Sequence, residues 1–190
     1  MLNFPFLLIE FLDELVFGVN AAAWPVIRTD LRLSYLQIGL LLSVPGIVSA
    51  IIEPFIGILG DVWKRRLLIL GGGIFFALAC LLTGFSTGFV VLFFALCIFY
   101  PSSGAFVSLS QATLMDSNPA RHEHNMARWT FAGSLGMVSG PLALAARLRL
   151  RRGLRLPDAI QLATAVHEGC HAIVSHDRDF GKVREILILG

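Results

Sequence analysis

The chain has 190 residues, a formal net charge of +2, and 56% hydrophobic against 15% charged residues. Because soluble domains carry about a quarter charged residues, this composition excludes a uniformly soluble protein. The apolar excess is uneven: residues 1–141 hold 7 Lys/Arg and 8 Asp/Glu, whereas residues 142–190 hold 8 and 5. The two parts therefore suit different solvents, lipid and then water, and the pattern predicts a boundary near residues 141–147.

Five apolar stretches predict membrane-spanning helices, because a bilayer core of about 30 Å needs roughly 20 apolar helical residues. They cover about residues 4–27, 35–59, 67–85, 88–114 and 127–145. Charged residues lie in most of the breaks between them, and the break at 85–88 is short and uncharged. The chain is therefore expected to be mainly α, a polytopic transmembrane helix bundle of four to five spans with a small C-terminal α/β fragment.

The loop charges orient this bundle, because cytoplasmic loops are enriched in Lys and Arg. The densest basic cluster, Lys64–Arg66, is expected inside, which places the N-terminus and the loop at 116–128 inside as well. We therefore predict a multi-pass protein of the cell inner (plasma) membrane with a cytoplasmic N-terminus. The fifth span conflicts with this rule, since it would carry five arginines between 147 and 155 outward. If residues 127–145 instead re-enter the membrane or lie at its surface, the tail stays cytoplasmic.

The break between the second and third stretches reads Gly57-Ile-Leu-Gly-Asp61-Val-Trp-Lys-Arg65-Arg66. It resembles the cytoplasmic-loop signature of the major facilitator superfamily, G-x-L-a-D-r-x-G-r-[RK], with Val62 and Lys64 departing from the pattern. An aspartate at a helix end can pair with basic residues of the next turn, and such a cluster can latch one conformation of a rocking bundle. The alternative is an ordinary basic loop. The resemblance assigns a transport role to Gly57, Asp61, Arg65 and Arg66.

A second similarity lies in the fifth stretch, which contains Gly136-Met-Val-Ser-Gly140-Pro141. It resembles the G-x-x-x-G-P portion of the family's fifth-helix antiporter motif, in which small residues allow tight packing and the proline bends the helix. The alternative is ordinary small-residue packing. In the fourth stretch, Gly104 matches the family's R-x-x-q-G motif, but Tyr100 stands in the arginine position, so a role carried by that arginine is not expected.

Three acidic residues lie at membrane depth, namely Asp13, Glu14 and Glu53. Charged side chains are costly there, so these residues are candidates for proton or cation coupling. Asp13 and Glu14 are adjacent and point about 100° apart on a helix, so at most one of them faces a cavity squarely. The alternative places one of them near the lipid interface.

The resemblance to the major facilitator superfamily covers about residues 1–141 and is nearest to efflux members for drugs and small molecules. It implies a partial form of that fold, no cofactor, and two partners: the lipid bilayer and a small molecule of unknown identity. A complete member has two six-helix halves with the substrate between them. Because this sequence has at most five spans, we expect the missing half to be a required partner and the chain to be inactive alone.

The tail, residues 142–190, has the pattern of a soluble α/β piece. A basic helix is expected to end at Gly153, a second helix to cover 157–168 and end at Gly169, and a short strand to cover 171–175. Two runs carry a further resemblance, Leu154-Arg-Leu-Pro-Asp158-Ala and Ile173-Val-Ser-His-Asp177-Arg-Asp179-Phe180. They are similar to the C-terminal third of PIN-domain ribonucleases of the toxin type.

The PIN resemblance implies a metal-dependent endoribonuclease whose carboxylates gather Mg²⁺ or Mn²⁺, with RNA or an antitoxin as partner. Its catalytic and metal-ligating positions carry over to Asp158 and Asp177, with Asp179 as an auxiliary. Hard cations take oxygen ligands, and a clustered carboxylate site activates water against a phosphodiester. The family's first two acidic residues precede this fragment, so RNA cleavage by the chain alone is not expected.

Two further alternatives remain. Residues His167-Glu168-Gly-Cys-His171 spell H-E-x-x-H, the zinc-peptidase motif in which two histidines on one helix bind Zn²⁺. That motif needs an unbroken helix, and Gly169 argues against one. The other alternative is a fused reading frame in which neither part functions, which is favoured because the fifth span would export an RNA-directed tail.

Overall fold

The computed structural model describes residues 4–152, 158, 161–162, 164–165, 170, 172–174 and 187–189. Its contacts divide the chain into two compact units. The first comprises Met1–Glu10 and Arg28–Thr130, and the second comprises Phe11–Ile27 and Phe131–Gly190. The division therefore falls within the helices formed by the first and fifth apolar stretches.

Five long helices follow the five apolar stretches in order: α1 (Phe4–Asp30), α2 (Tyr35–Val62), α3 (Arg65–Gly84), α4 (Phe89–Ser117) and α5 (His122–Arg152). A 3-10 turn, Pro119–Arg121, precedes α5. The polar breaks set the helix ends. At the start of α2, Ser34 and Gln37 form a capping box, in which the Gln37 N–H donates to Ser34 Oγ at 3.2 Å and the Ser34 N–H donates to Gln37 Oε1 at 2.9 Å. The predicted polytopic helix bundle is confirmed.

In the part of the chain that the structure describes, α2, α3 and α4 are long and apolar enough to cross a membrane. α1 carries five charged residues, and α5 mixes its apolar residues with glycine, serine and proline. Two of the α1 acids are nevertheless buried, with Glu10 8% and Asp13 5% exposed. Because buried acids are not presented to lipid, the count of five charged residues overstates the polarity of the outer surface of α1. The first and fifth spans remain predictions.

The core of the first unit is α4, against which α2 and α3 pack. Glycine in α3 permits a close approach: a Cβ at Gly72 would lie 2.8 Å from the Phe106 nitrogen and 2.9 Å from the Ala105 Cβ. One helical turn further, the rings of Phe76 and Phe99 are 5.0 Å apart. The α3–α4 contact therefore combines backbone proximity with aromatic packing, the arrangement expected where lipid offers no hydrophobic driving force between helices.

In the second unit, α1 and α5 pack through glycines on both helices. A Cβ at Gly140 would lie 2.5 Å from the Val19 nitrogen, and a Cβ at Gly18 would lie 2.6 Å from the Met137 carbonyl oxygen. Pro141 has no N–H, so this carbonyl lacks the helical donor that residue 141 would otherwise supply. Pro141 therefore leaves the Met137 carbonyl without its helical hydrogen bond at the point where the backbone of Gly18 approaches it.

The described tail has helical residues at 158, 161–162 and 164–165, and two strands, β1 (Ala172–Val174) and β2 (Leu187–Leu189). The strands are parallel, with Ile173 opposite Ile188. The helical residues and β1 lie where the sequence predicts them. The second strand, β2, was not predicted, because four apolar residues at 186–189 are too few for periodicity to indicate a strand.

Candidate functional site

The clearest polar site in the first unit is a bridge centred on Arg65, at the start of α3. Its Nη2 donates to Asp61 Oδ1 at 2.9 Å, and its Nη1 donates to Asp116 Oδ2 at 2.6 Å. Its Nε also donates to the Gly60 carbonyl at 3.3 Å. We call this arrangement the Arg65 bridge, and it joins the ends of α2 and α4 to the start of α3.

The fork shape of arginine explains why one side chain can hold three acceptors. A guanidinium presents several N–H donors in a fixed plane and stays charged at physiological pH. The two carboxylates are 73% and 68% exposed, so each ion pair is worth only about 0.2–1 kcal/mol. The Arg65 bridge therefore specifies the relative position of three helix ends more than it stabilises the fold.

The structure brings together only part of the predicted loop motif. Asp61 and Arg65 form an ion pair, whereas Arg66 is exposed with no ion pair among the described residues. Gly57 has open space around the position of a Cβ, so it is not a close-approach point between described residues. That role falls to Gly60, where a Cβ would lie 2.5 Å from Leu109 Cδ2.

Asp116 is a member of the Arg65 bridge that sequence reasoning missed. It lies 51 positions from Arg65, and nothing in local spacing links the two. The helix order offered a signal for this contact. Consecutive helices α2, α3 and α4 alternate in direction, so the C-terminus of α4 lies at the same side of the bundle as the loop between α2 and α3. An acid at that end is a natural partner for a basic loop.

The acidic residues of α1 divide by environment. Asp13 is buried and Glu14 is intermediate, in keeping with the expectation that adjacent acids on a helix meet different surroundings. Glu14 lies against α5, since a Cβ at Gly136 would be 3.0 Å from the Glu14 Cβ. Glu10 is also buried and precedes Asp13 by three positions, on the same helix face. Glu10 is therefore a buried acid that the sequence pattern did not single out.

Glu53 occupies a fitted position on α2. Ser49 Oγ donates to Glu53 Oε1 at 2.6 Å, and a Cβ at Gly104 of α4 would lie 2.8 Å from Glu53 Cγ. A larger residue at position 104 would displace the carboxylate. Glycine at position 104 therefore leaves the space that the Glu53 side chain occupies. The motif to which Gly104 was compared has an arginine where this chain has Tyr100.

The tail offers little of its predicted metal site. Asp158 is helical, and its Oδ2 is buried without a hydrogen-bond partner among the described residues, whereas Asp177 and Asp179 lie outside them. Within the described ranges no group of three or more His, Cys, Asp or Glu side chains comes together to hold a metal ion. Binding of Mg²⁺ or Mn²⁺ by the tail stays a prediction.

The zinc-peptidase alternative is opposed by the backbone between its two histidines. His167, Glu168 and His171 lie outside the described residues, but Cys170 is non-helical and β1 begins two residues later. The Cys170 N–H donates to the Ala165 carbonyl at 2.9 Å, a spacing of five residues that closes helix C-termini. The unbroken helix that H-E-x-x-H requires is therefore absent at Cys170.

Comparison with protein families decides the class of protein. The model of the Major Facilitator Superfamily matches residues 6–148, which is most of the chain. The chain belongs to the Major Facilitator Superfamily. It is a membrane protein with a transporter-type function, and its helices form a partial version of the superfamily bundle.

This Major Facilitator Superfamily chain also matches the PIN domain model, over residues 134–186. The two matches overlap at 134–148, inside the continuous helix α5. No curated protein matches the chain. The resemblances to both families are thus confirmed, whereas the division into 1–141 and 142–190 stays a prediction.

Proposed function

We propose that this chain supplies membrane helices of an efflux-type transporter for small molecules. The Arg65 bridge is the observation that supports this most directly, because it joins three helix ends through one side chain. In a bundle that alternates between two arrangements, bonds present in one arrangement alone shift the equilibrium toward it. Exposed ion pairs cost little to break, which suits a reversible latch.

Glu53 is the coupling residue in this proposal. It is an acidic side chain within a candidate span, hydrogen-bonded by Ser49 and fitted against Gly104. Ionisable groups at membrane depth are typical of proton relays, since protonation removes the cost of the charge. Asp13 and Glu14 remain candidates for the same role in the second unit.

A second helix bundle completes the substrate cavity in this proposal. The described residues supply five long helices, whereas a superfamily transporter binds its substrate between two six-helix halves. The remaining helices must therefore come from another segment or another polypeptide. We also propose that the protein spans the cell inner membrane with its N-terminus inside. Labelling of Lys64 by an impermeant amine reagent from the outside of intact cells would contradict that orientation.

Transport is tested with the full chain in liposomes, alone and together with the second half of an efflux-type superfamily member expressed as a separate polypeptide. We expect no ethidium flux from the chain alone, and flux driven by a pH gradient from the pair. Glu53→Gln is expected to reduce that flux to background, because an amide does not exchange the coupling proton. Ethidium fluorescence in the lumen is the measurement.

Glu123→Gln provides the matched control, because Glu123 is an exposed acid with no ion pair among the described residues. It should leave the flux of the pair unchanged. Flux from the chain alone that is lost in Asp61→Asn would contradict the need for a second bundle. Absence of flux from both preparations would contradict the efflux function, and unchanged flux in Glu53→Gln would contradict the coupling role.

The second candidate function is that of a PIN-type ribonuclease fragment, favoured by the match at 134–186. Asp158, Asp177 and Asp179 are the residues that would serve it. Because the PIN family's first two acidic residues have no counterpart in this segment, we propose that it does not cleave RNA by itself. A fused arrangement in which the tail has lost its catalysis fits the same observations.

Incubation of the purified full chain with single-stranded RNA and Mn²⁺ tests this second candidate. We expect no cleavage above a protein-free control, measured by gel electrophoresis of end-labelled RNA, because too few carboxylates are available to hold the ion. Asp158→Ala and Asp177→Ala should behave like the parent chain. Mn²⁺-dependent cleavage that disappears in either variant would show that the tail is an active nuclease.

A further inference from the structure

The end of the first unit that holds the Arg65 bridge also carries a group of exposed basic side chains. Lys64 and Arg66 flank the bridge, and Arg121 and Arg128 lie at the turn before α5 and in its second turn. None of these four side chains forms an ion pair with another described residue. We call them the basic patch.

Nearby acids do not neutralise the basic patch. Asp61 and Asp116 are both engaged by Arg65, which leaves Glu123 as the remaining acid of the two loops at 57–66 and 116–128. These loops hold five basic and three acidic side chains, a net charge of +2 with the histidines neutral.

The basic patch is held in place by contacts of neighbouring residues and not by ion pairs of its own side chains. Asn125 is 2% exposed, and its Nδ2 donates to the Leu114 carbonyl at 3.4 Å, which joins the start of α5 to the end of α4. Arg121, His124 and Arg128 follow one another at spacings of three and four, so they share one face of the helical segment. Lys64 and Arg66 are positioned by the Arg65 bridge between them.

The position of the basic patch indicates what it meets. Lys64 lies between two candidate membrane spans, and Arg66 lies in the first turn of the second of them. Beside them are Val62, which is 77% exposed, and Trp63, which is 55% exposed. Apolar surface and an indole next to lysine and arginine are typical of the level at which lipid headgroups meet the hydrocarbon. A soluble nucleic acid would leave this apolar surface in water.

We propose that the basic patch binds the phosphate groups of anionic phospholipids in the bilayer. Headgroups with net negative charge gain affinity from Lys64, Arg66, Arg121 and Arg128, while zwitterionic headgroups gain much less. Lipid held at this point contacts the loops that the Arg65 bridge organises, so the lipid composition of the membrane influences the arrangement of α2, α3 and α4. This inference rests on the membrane family of the chain and does not depend on efflux.

The test uses the full chain reconstituted in vesicles of equal parts dioleoylphosphatidylglycerol and dioleoylphosphatidylcholine. After extraction in a mild neutral detergent, native mass spectrometry gives the ratio of the two lipids retained on the protein. We expect an excess of phosphatidylglycerol, which falls by about five-fold for each charge removed in Arg66→Gln and Arg128→Gln. Arg66→Lys and Arg128→Lys should keep the excess, because charge and not shape is recognised.

Arg28→Gln is the matched control, since Arg28 stacks on Tyr35 near the opposite end of α2 and lies outside the basic patch. It should leave the lipid ratio unchanged. An unchanged excess in the double variant Arg66→Gln/Arg128→Gln, with helix content intact by circular dichroism, would overturn the proposal. Displacement of phosphatidylglycerol by inorganic phosphate or by polyuridylate at low concentration would also overturn it, because the basic patch would then recognise a soluble anion or RNA.

Discussion

Replacing Gly140 by alanine is expected to destabilise the second unit by about 1–3 kcal/mol, the usual cost of overpacking a tight contact. The added Cβ would lie 2.5 Å from the Val19 nitrogen and 2.9 Å from the Gly18 Cα. These atoms are backbone, so no side-chain rotation can relieve the contact and α1 must move away from α5. Thermal unfolding in detergent, followed by tryptophan fluorescence, measures the loss.

Gly71→Ala is the matched control for this prediction. The same substitution is made at a helical glycine that has nothing within 4 Å of the position of a Cβ. Alanine is preferred over glycine within helices by about 1 kcal/mol, so Gly71→Ala should leave the melting temperature unchanged or raise it. Equal shifts in the two variants would show that helix propensity, and not the α1–α5 contact, governs the effect at Gly140.

The second large effect is expected at Arg65. Arg65→Gln removes both ion pairs and leaves Asp61 and Asp116 without their common cation. Because two exposed pairs are together worth up to about 2 kcal/mol, the balance between two arrangements of the bundle should shift by up to about 30-fold. We expect ethidium flux of the reconstituted pair to fall by about that factor, while the melting temperature changes little.

Arg66→Gln is the control that distinguishes loss of the Arg65 ion pairs from loss of one positive charge in the loop. It removes the same charge one position away, where no ion pair is formed among the described residues. Flux should therefore survive in Arg66→Gln when the liposomes contain phosphatidylcholine alone, because the basic patch then has no anionic lipid to bind. A double-mutant cycle of Arg65→Gln and Asp116→Asn should show coupling, because the two side chains are bonded directly. Additive effects in that cycle would remove Asp116 from the Arg65 bridge.

Much of the fold could be predicted because membrane helices are encoded locally. Hydropathy and loop charge located all five helices, and the cap formed by Ser34 and Gln37 lies at the residue where the second apolar stretch begins. The helix ends differed by several residues at α5, which extends from His122 to Arg152. Hydropathy does not detect such extensions, because charged residues continue a helix without adding apolar character.

The candidate site was less predictable, and the reason differs from residue to residue. Asp61 and Arg65 are four positions apart, so helical geometry alone predicts their pairing. Asp116 is distant in the chain and joins them through the packing of α4, which no local pattern contains. The loop motif also drew attention to Gly57, whereas the close helix contact is made by Gly60.

The sequence by itself determined the number and order of the long helices and the two family resemblances, because these depend on composition, periodicity and local motifs. Only the tertiary structure decided which charged residues meet, why Gly18 must accompany Gly140, and how Gly104 makes room for Glu53. Those features arise between helices, where a contact depends on the rotation and spacing of two surfaces. A single stretch of sequence gives the residues on one helix surface, but only packing shows which surface of another helix they contact.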